Sequence, residues 1–407
     1  MSQIRPFRAL RPNPGLAAKI CELPYDVMSS EEARFMAAGN PLSFLHVSKP
    51  EIDLPANVDL HDPQVYATGR ENFRKLAVTG ALRRDETPCF YLYRQVMGAH
   101  AQLGLVAVAS CEDYGASVIK KHELTRPDKE QDRVNHIDAL NAQTGPVFLT
   151  YRARPELDAL FARISSDKAE IDFAAPDGVR HQAWVIKEPA VIERIQTEFN
   201  GINPLYIADG HHRSAAAWRV WQARHGAGSS GWFLSVIFPH NQMQIMPYNR
   251  VLKDLNGRSP EAFLKELEKV FVFQQTATPS PVRSHEVGLY IGGKWHGLAF
   301  RKELTQAPNP IDRLDVSLLQ QHVLAPILGI EDPRTSQRIQ FVGGIRGTAE
   351  LEKLVNSGAG ACAFSMYPTR IEELMDIADG GGIMPPKSTW FEPKLRDGMF
   401  SHLLDEA

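Results

Sequence analysis

The stretch Tyr206-Ile207-Ala208-Asp209-Gly210-His211-His212-Arg213 joins an apolar run, Leu205 to Ala208, to an alanine-rich segment with Ala215, Ala216 and Ala217. The pattern predicts a short strand, a reversal at Gly210 and a helix reaching about Arg224. Glycine lets the chain turn tightly and lets a ligand approach the backbone. A helix start adds unpaired N–H groups and the positive end of a dipole, which suits an anion. His211, His212 and Arg213 crowd further donors there, and arginine can grip phosphate oxygens in pairs. Asp209, at the strand end, can bind Mg²⁺ or take a proton from a hydroxyl. The plainer alternative is an N-cap aspartate with histidines decorating the first turn. Zinc is disfavoured on this turn, because adjacent helical residues diverge by about 100° and neither HxxxH nor HExxH is present.

Outward from this turn, composition bounds the class. The chain has 407 residues, 43% hydrophobic and 23% charged, which fits globular domains rather than disorder. A formal charge of −3 argues against duplex DNA or an anionic membrane surface as the main partner. Cys21, Cys89, Cys111 and Cys362 are scattered without a CxxC pair and read as buried free thiols of a reducing compartment. No run approaches the ~20 apolar residues of a membrane helix, and Met1 to Pro14 lacks a signal-peptide core. The expectation is a soluble cytoplasmic protein without membrane partners.

Ser29-Ser30-Glu31-Glu32 resembles a helix start, with the serines available as N-caps and the acids for the first turn, and a helix is expected over Pro63 to Ala81. Strands over Cys89 to Met97 and Leu103 to Ser110 suggest a hairpin. A strand at Pro146 to Tyr151, a helix from Pro155, a strand at Trp184 to Ile186 and a helix over Pro189 to Phe199 precede the turn, and a strand at Trp232 to Phe238 follows it. Helices are expected over Ser259 to Phe271 and Val316 to Leu328. From Arg338 the chain alternates strand, helix, strand, helix, which predicts parallel pairing, and Thr369 with Glu372 has capping-box spacing. The fold class is therefore α/β (α+β mixed), with a C-terminal βαβα portion. Soft borders divide it into 1–100, 101–240 and 241–407.

A second constellation, Lys120-Lys121-His122-Glu123-Leu124-Thr125-Arg126 through Arg133, carries cations suited to phosphates and a carboxylate at Glu123. It reads equally well as a solvated charged face. Pro24-Tyr25-Asp26-Val27, Asn40-Pro41 with Phe44-Leu45-His46, and Pro247-Tyr248-Asn249-Arg250 read better as structural turns. Lys387-Ser388-Thr389 offers a cation and hydroxyls, or simply a packed loop anchored by Trp390 and Phe391.

Five motifs in order resemble the DUF1015 family over nearly the whole chain. They are Arg5-Pro6-Phe7-Arg8-Ala9, Pro24 to Val27, Lys121 to Arg133, Ala208 to Arg213, and Met384 to Phe391. The Asp209–Arg213 turn is also similar to that of free-serine kinases of the ParB/sulfiredoxin-like superfamily. That resemblance implies a ParB-like core within 101–240 and phosphorylation of free L-serine to O-phosphoserine, with pyrophosphate or a nucleotide as donor. It implies Asp209 as the catalytic aspartate and His211, His212 and Arg213 in the phosphate-binding turn, with Glu123 the candidate for an expected catalytic glutamate. Sulfiredoxin chemistry needs a cysteine in this turn, and none is there.

The expected site then comprises Asp209 and Glu123 as catalytic carboxylates. Gly210, His211, His212 and Arg213 bind phosphate with Lys121 and Arg126 as auxiliary clamps, and Mg²⁺ sits at Asp209. No P-loop or protein-kinase catalytic loop is present, so the ordinary ATP folds are excluded. Two other classes stay open: a non-catalytic ParB-like protein binding a nucleotide, nucleic acid or anion, and a metal-dependent hydrolase using His211, His212 and Asp209.

Overall fold

A computed structural model describes residues 2–404. The chain forms two compact units: the first runs to Met243 and resumes at Pro393, and the second is Gln244–Glu392. The four cysteines are buried and free. No described helix is long and apolar enough to cross a membrane.

The first unit is built on a mixed sheet. Its strands are β1 (Ile4–Arg5), β2 (Phe90–Met97), β3 (His100–Ser110), β4 (Ile119–Lys120), β5 (Val147–Tyr151), β6 (Ile171–Ala174), β7 (Arg180–Ile186), β8 (Leu205–Asp209) and β9 (Trp232–Pro239). They lie in the order β4-β8-β5-β9-β3-β2-β7-β6, with β1 added on β3. Residue 100 opens β3, in the tight β2–β3 hairpin where Met97 faces His100. The expected border there thus falls inside one sheet. β5 is buried at every residue, as a strand covered on both faces is, and its polar member Thr150 donates its hydroxyl to the Phe238 carbonyl at 2.9 Å. Leu92, Leu105, Leu149, Tyr151, Ile207 and Ile237, all fully buried, belong to one core cluster on this sheet.

Helices α1 (Ser30–Ala37), α2 (Pro63–Val78), α3 (Pro127–Leu140), α4 (Pro155–Ile164), α5 (Pro189–Asn200) and α6 (His211–Ala223) complete this unit. The expected helix start is present and is closed by a capping box: Ser29 Oγ accepts from the Glu32 N–H at 3.2 Å, and Glu32 Oε2 accepts from the Ser29 N–H at 2.7 Å. The small face of α6 lies close to α3, where Ala216 and Val220 pack with Ile137. Two features aim the functional segments. β4 runs parallel to β8, pairing Ile119 with Leu205 and Lys120 with Tyr206, so both chains leave the sheet at the same end. A register shift between Ile207 and Asp209 against β5 marks a bulge, which redirects the strand end next to Gly210.

After the second unit the chain returns to the first. Glu22 and Asp397 form a reciprocal backbone bridge, Leu10 does the same with Ser401, and His402–Leu403 pairs with Ala142–Gln143. Leu395, Met399, Phe400 and Leu404 are all buried there.

The second unit has its own sheet of β10 (Tyr248–Leu252), β11 (Phe271–Phe273), β12 (Glu286–Ile291), β13 (Lys294–Phe300), β14 (Ile339–Gly343) and β15 (Cys362–Met366), in the order β11-β13-β12-β15-β10-β14. The strand-helix alternation is present, with α8 (Gly347–Asn356) and α9 (Ile371–Asp379) following α7 (Pro260–Leu267). The expected parallel pairing is not. β10 inserts between β14 and β15 and is antiparallel to both, so the two strands share a direction without touching.

Three local expectations also change. Val316 to Leu328 is not one helix: Asp315–Leu319 is α-helical and Gln320–Leu324 widens to a π turn, because Pro326 supplies no N–H and crowds the preceding turn. Ser259 caps a helix that ends at Leu267, and Phe271 already belongs to β11. Thr369 does not cap α9, since its hydroxyl donates to the Ser388 carbonyl at 2.9 Å while Glu373 accepts from the Arg370 N–H at 2.9 Å.

Phe400 packs 5.1 Å from the Tyr91 ring and is 1% exposed. Phe400→Ala is expected to cost about 3–5 kcal/mol, read by denaturant unfolding of the full chain. A loss under 1 kcal/mol would mean that the returning segment does not support the first unit.

Candidate active site

Gly210 is the N-cap of α6 with φ 95°, a left-handed conformation that suits glycine alone. A Cβ there would lie 3.2 Å from Arg213 Nε and 3.4 Å from the Val147 backbone. No side chain caps this helix. Asp209 does not do so: its Oδ1 accepts from the Gly210 N–H at 2.9 Å, one residue short of the helix. The N–H groups of the first turn are thus left available to an anion.

Asp209 Oδ2 lies 3.2 Å from Lys394 Nζ and 3.7 Å from Arg213 Nη2. Burial alone would favour its neutral form, but Lys394 first and Arg213 second hold the carboxyl far below the usual carboxylate range. Arg213 is itself buried. Its Nη1 donates to the Pro146 carbonyl, its Nη2 is 3.8 Å from Asp26 Oδ2, and its Nε has no hydrogen-bond partner among the described residues. Burial opposes its charge, and Asp26 and Asp209 outweigh that.

The parallel course of β4 and β8 brings the 121–126 loop against the α6 start. The His122 N–H reaches His211 Nε2 at 3.5 Å, and the Arg126 N–H donates to His212 Nε2 at 3.0 Å. Glu123 Oε2 stands 3.9 Å from His211 Nδ1. Burial keeps both His122 and His211 neutral, His122 at a pKa of about 4. The clamps fare differently. Lys121 Nζ sits 3.8 Å from the centre of the Tyr114 ring, and the guanidinium of Arg126 is exposed and paired with Asp128 at 2.8 Å. Neither side chain is thus directed to Asp209 or Arg213.

Several residues here were not among the site residues expected from the sequence. Asp26 and Tyr25 arrive from the turn at Tyr25–Val27, where the Tyr25 ring lies 3.8 Å from the Arg133 guanidinium. Pro24 to Val27, read above as structural, therefore also contributes charge. Lys394 and Asp397 come from the returning C-terminal segment, which carried no motif. Asp397 is 1% exposed, its Oδ1 has no hydrogen-bond partner among the described residues, and it lines a cavity of about 30 Å³ with Tyr25, Arg133 and Arg213. Burial raises its pKa from 3.8 to about 7, against the pull of Arg213.

The other motifs fall elsewhere. In the first unit, the Ala9 N–H donates to the Tyr91 hydroxyl at 3.1 Å, a structural tether. His46 is held by Asp53 at 2.8 Å. In the second unit, Ser388 Oγ donates to the Pro385 carbonyl at 2.6 Å and Lys387 Nζ stands 5.3 Å from the Tyr248 ring centre, which makes a packed loop. Asn249 Oδ1 accepts from the Met366 N–H at 3.0 Å.

Two outcomes follow from this geometry. Gly210→Ala should lose about 1–2 kcal/mol of stability from the left-handed strain, with weaker binding of inorganic phosphate by calorimetry; unchanged binding would remove the turn as an anion site. The raised carboxyl of Asp397 means that the folded chain holds its proton more tightly than the unfolded chain. This contribution is complete below pH 3.8 and disappears as the pH rises through about 7. Asp397→Asn should therefore gain thermal stability relative to the parent between pH 5 and pH 8, and a difference flat in pH would contradict a protonated Asp397.

A family model described as "Protein of unknown function (DUF1015)" matches residues 4–317. Similar solved structures include a free serine kinase in complex with AMP, at 14% identity and TM-score 0.36, over 71% of this chain and 86% of that one. Another is SbnI with a C-terminal truncation from Staphylococcus aureus, at 12% identity and TM-score 0.38, over 72% and 85%. A third is a conserved hypothetical protein from Pyrococcus furiosus, at 15% and 0.36, over 75% and 97%. No curated protein sequence matches the chain. With the family match spanning most of its length, this chain belongs to the DUF1015 family.

Proposed function

We propose that this protein is a phosphotransferase that phosphorylates a small hydroxylated metabolite, free L-serine to O-phosphoserine, with pyrophosphate or a nucleotide as donor. The observation that carries the reading is Asp209 at the end of β8. It is kept ionised by Lys394 and Arg213 and lies next to the uncapped start of α6. Likeness of the Asp209–Arg213 turn to that of free-serine kinases supports serine as the acceptor, and the ParB-like character of the core belongs to the same reading.

Phosphoryl transfer depends on positioning and on neutralising charge. In this scheme the first-turn N–H groups of α6, with Arg213 and Lys394, hold the donor phosphates, and His211 and His212 add hydrogen bonds. Asp209 accepts a hydrogen bond from the serine hydroxyl and aims its oxygen at the terminal phosphorus. That oxygen–phosphorus bond forms as the bridging phosphorus–oxygen bond breaks. An ionised carboxylate held so low is a weak base, so it takes the proton late, once the attacking oxygen has become acidic. Glu123 is the second carboxylate within reach of the turn.

Mg²⁺ would neutralise the phosphate charge when bound. Asp209 Oδ1 is engaged by Gly210 and Oδ2 faces two cations, so its carboxylate fits an ion carried in on phosphate oxygens, not one caged by protein alone.

Purified chain given L-serine, Mg²⁺ and in turn pyrophosphate, ADP and ATP should yield phosphoserine with at least one donor. Asp209→Asn should lower kcat on the order of 10²–10⁴-fold, and Lys394→Met should lower kcat/KM about 10²-fold. No product from any donor, across a panel of hydroxylated metabolites, sinks the reading.

A further inference from the structure

We propose that His122, Glu123 and His211 form a binding site for one divalent transition-metal ion beside the start of α6. One ligand atom from each lies within 4.8 Å of the others. The His211 Nδ1 to Glu123 Oε2 distance of 3.9 Å needs only a modest contraction to the ligand separation of about 3 Å around such an ion. Glu123, on a loop and 46% exposed, can supply that movement.

His122 gives an independent pointer. Its ring is buried and bonded to the Ile207 backbone, which leaves Nδ1 with no hydrogen-bond partner among the described residues. A ligating histidine characteristically donates its other N–H to a backbone carbonyl, which fixes the tautomer and turns the bare nitrogen to the metal. His211 is committed only weakly, to the His122 N–H at the 3.5 Å limit of a hydrogen bond. The rings meet edge to face, 4.4 Å between centres and 88° between planes. Burial keeps both imidazoles neutral, the form that ligates.

Two imidazoles and one carboxylate favour Mn²⁺, Fe²⁺, Co²⁺ or Zn²⁺ over Mg²⁺, which prefers oxygen alone, and leave coordination positions open for a ligand. Spacing along the chain hid this set, since His122 and Glu123 come from the loop after β4 and His211 from α6. The metal arrangement weighed from sequence does not assemble: His212 is held by the Arg126 N–H and Asp209 faces two cations.

The site shares Glu123 and His211 with the phosphotransfer reading, but metal binding does not require turnover and is tested without it. Full-length protein stripped by chelator is titrated with Co²⁺ and followed by visible absorption, with Zn²⁺ as competitor. One equivalent of Co²⁺ per chain, displaced by Zn²⁺, is expected, with affinity at least about tenfold lower in His122→Gln and in Glu123→Gln but kept in His212→Asn. If His122→Gln fails to fold, Glu123→Gln decides. Substoichiometric binding, or parental affinity in Glu123→Gln, overturns the proposal. Binding in a chain that phosphorylates nothing supports this site and removes the kinase; turnover with Mg²⁺ in a chain that binds neither Co²⁺ nor Zn²⁺ does the reverse.

Discussion

A guanidinium buried beneath a sheet end has to be compensated, and Arg213 sets that condition for the first unit. It sits between Asp209 and Asp26 and donates to the Pro146 carbonyl. An unpaired buried charge costs several kcal/mol. Its surroundings are correspondingly constrained. Gly145 and Gly210 both lack a side chain where a Cβ would press on Arg213, at 3.2 Å in each case. Tyr25 and Asp26 are placed by their own short turn, and Asp397 lines the cavity at its side.

That arrangement gives the carboxylates different proton affinities within one network. Asp209 has two cations close by and stays ionised. Asp397 is more deeply buried, pays more in lost hydration than Arg213 and Arg133 return, and holds its proton to about pH 7. Paired groups pushed in opposite directions are a frequent mark of chemical sites.

Much of the first unit was legible because its signals are local. The capping serine at Ser29, prolines at helix starts and a glycine between strand and helix act within a few residues. The second unit was less legible for a related reason: alternation along the chain reports strand direction but not which strand inserts between two others, and β10 did so. The β12–β13 hairpin turns at Gly292-Gly293, both at positive φ, a local signal that the sequence reading passed over. At the site, residues within one motif were found and those brought from afar were not. Lys394 and Asp397 stand alone in sequence and acquire meaning only because the C-terminal segment bridges to Leu10 and Glu22 and pairs with Ala142–Gln143.

That return path has a consequence for biosynthesis. A ribosome makes Asp26, the sheet and Arg213 early, then the whole of Gln244–Glu392, and only then the residues that reach Asp209 and line the cavity. Until then the nascent first unit carries a cationic side chain and an apolar seam awaiting Leu395, Met399 and Phe400. Long-range closure of this kind is slow and leaves sticky intermediates. The electrostatic centre of the protein is thus also its last step of assembly, and a chain stopped short of it leaves that centre unfinished.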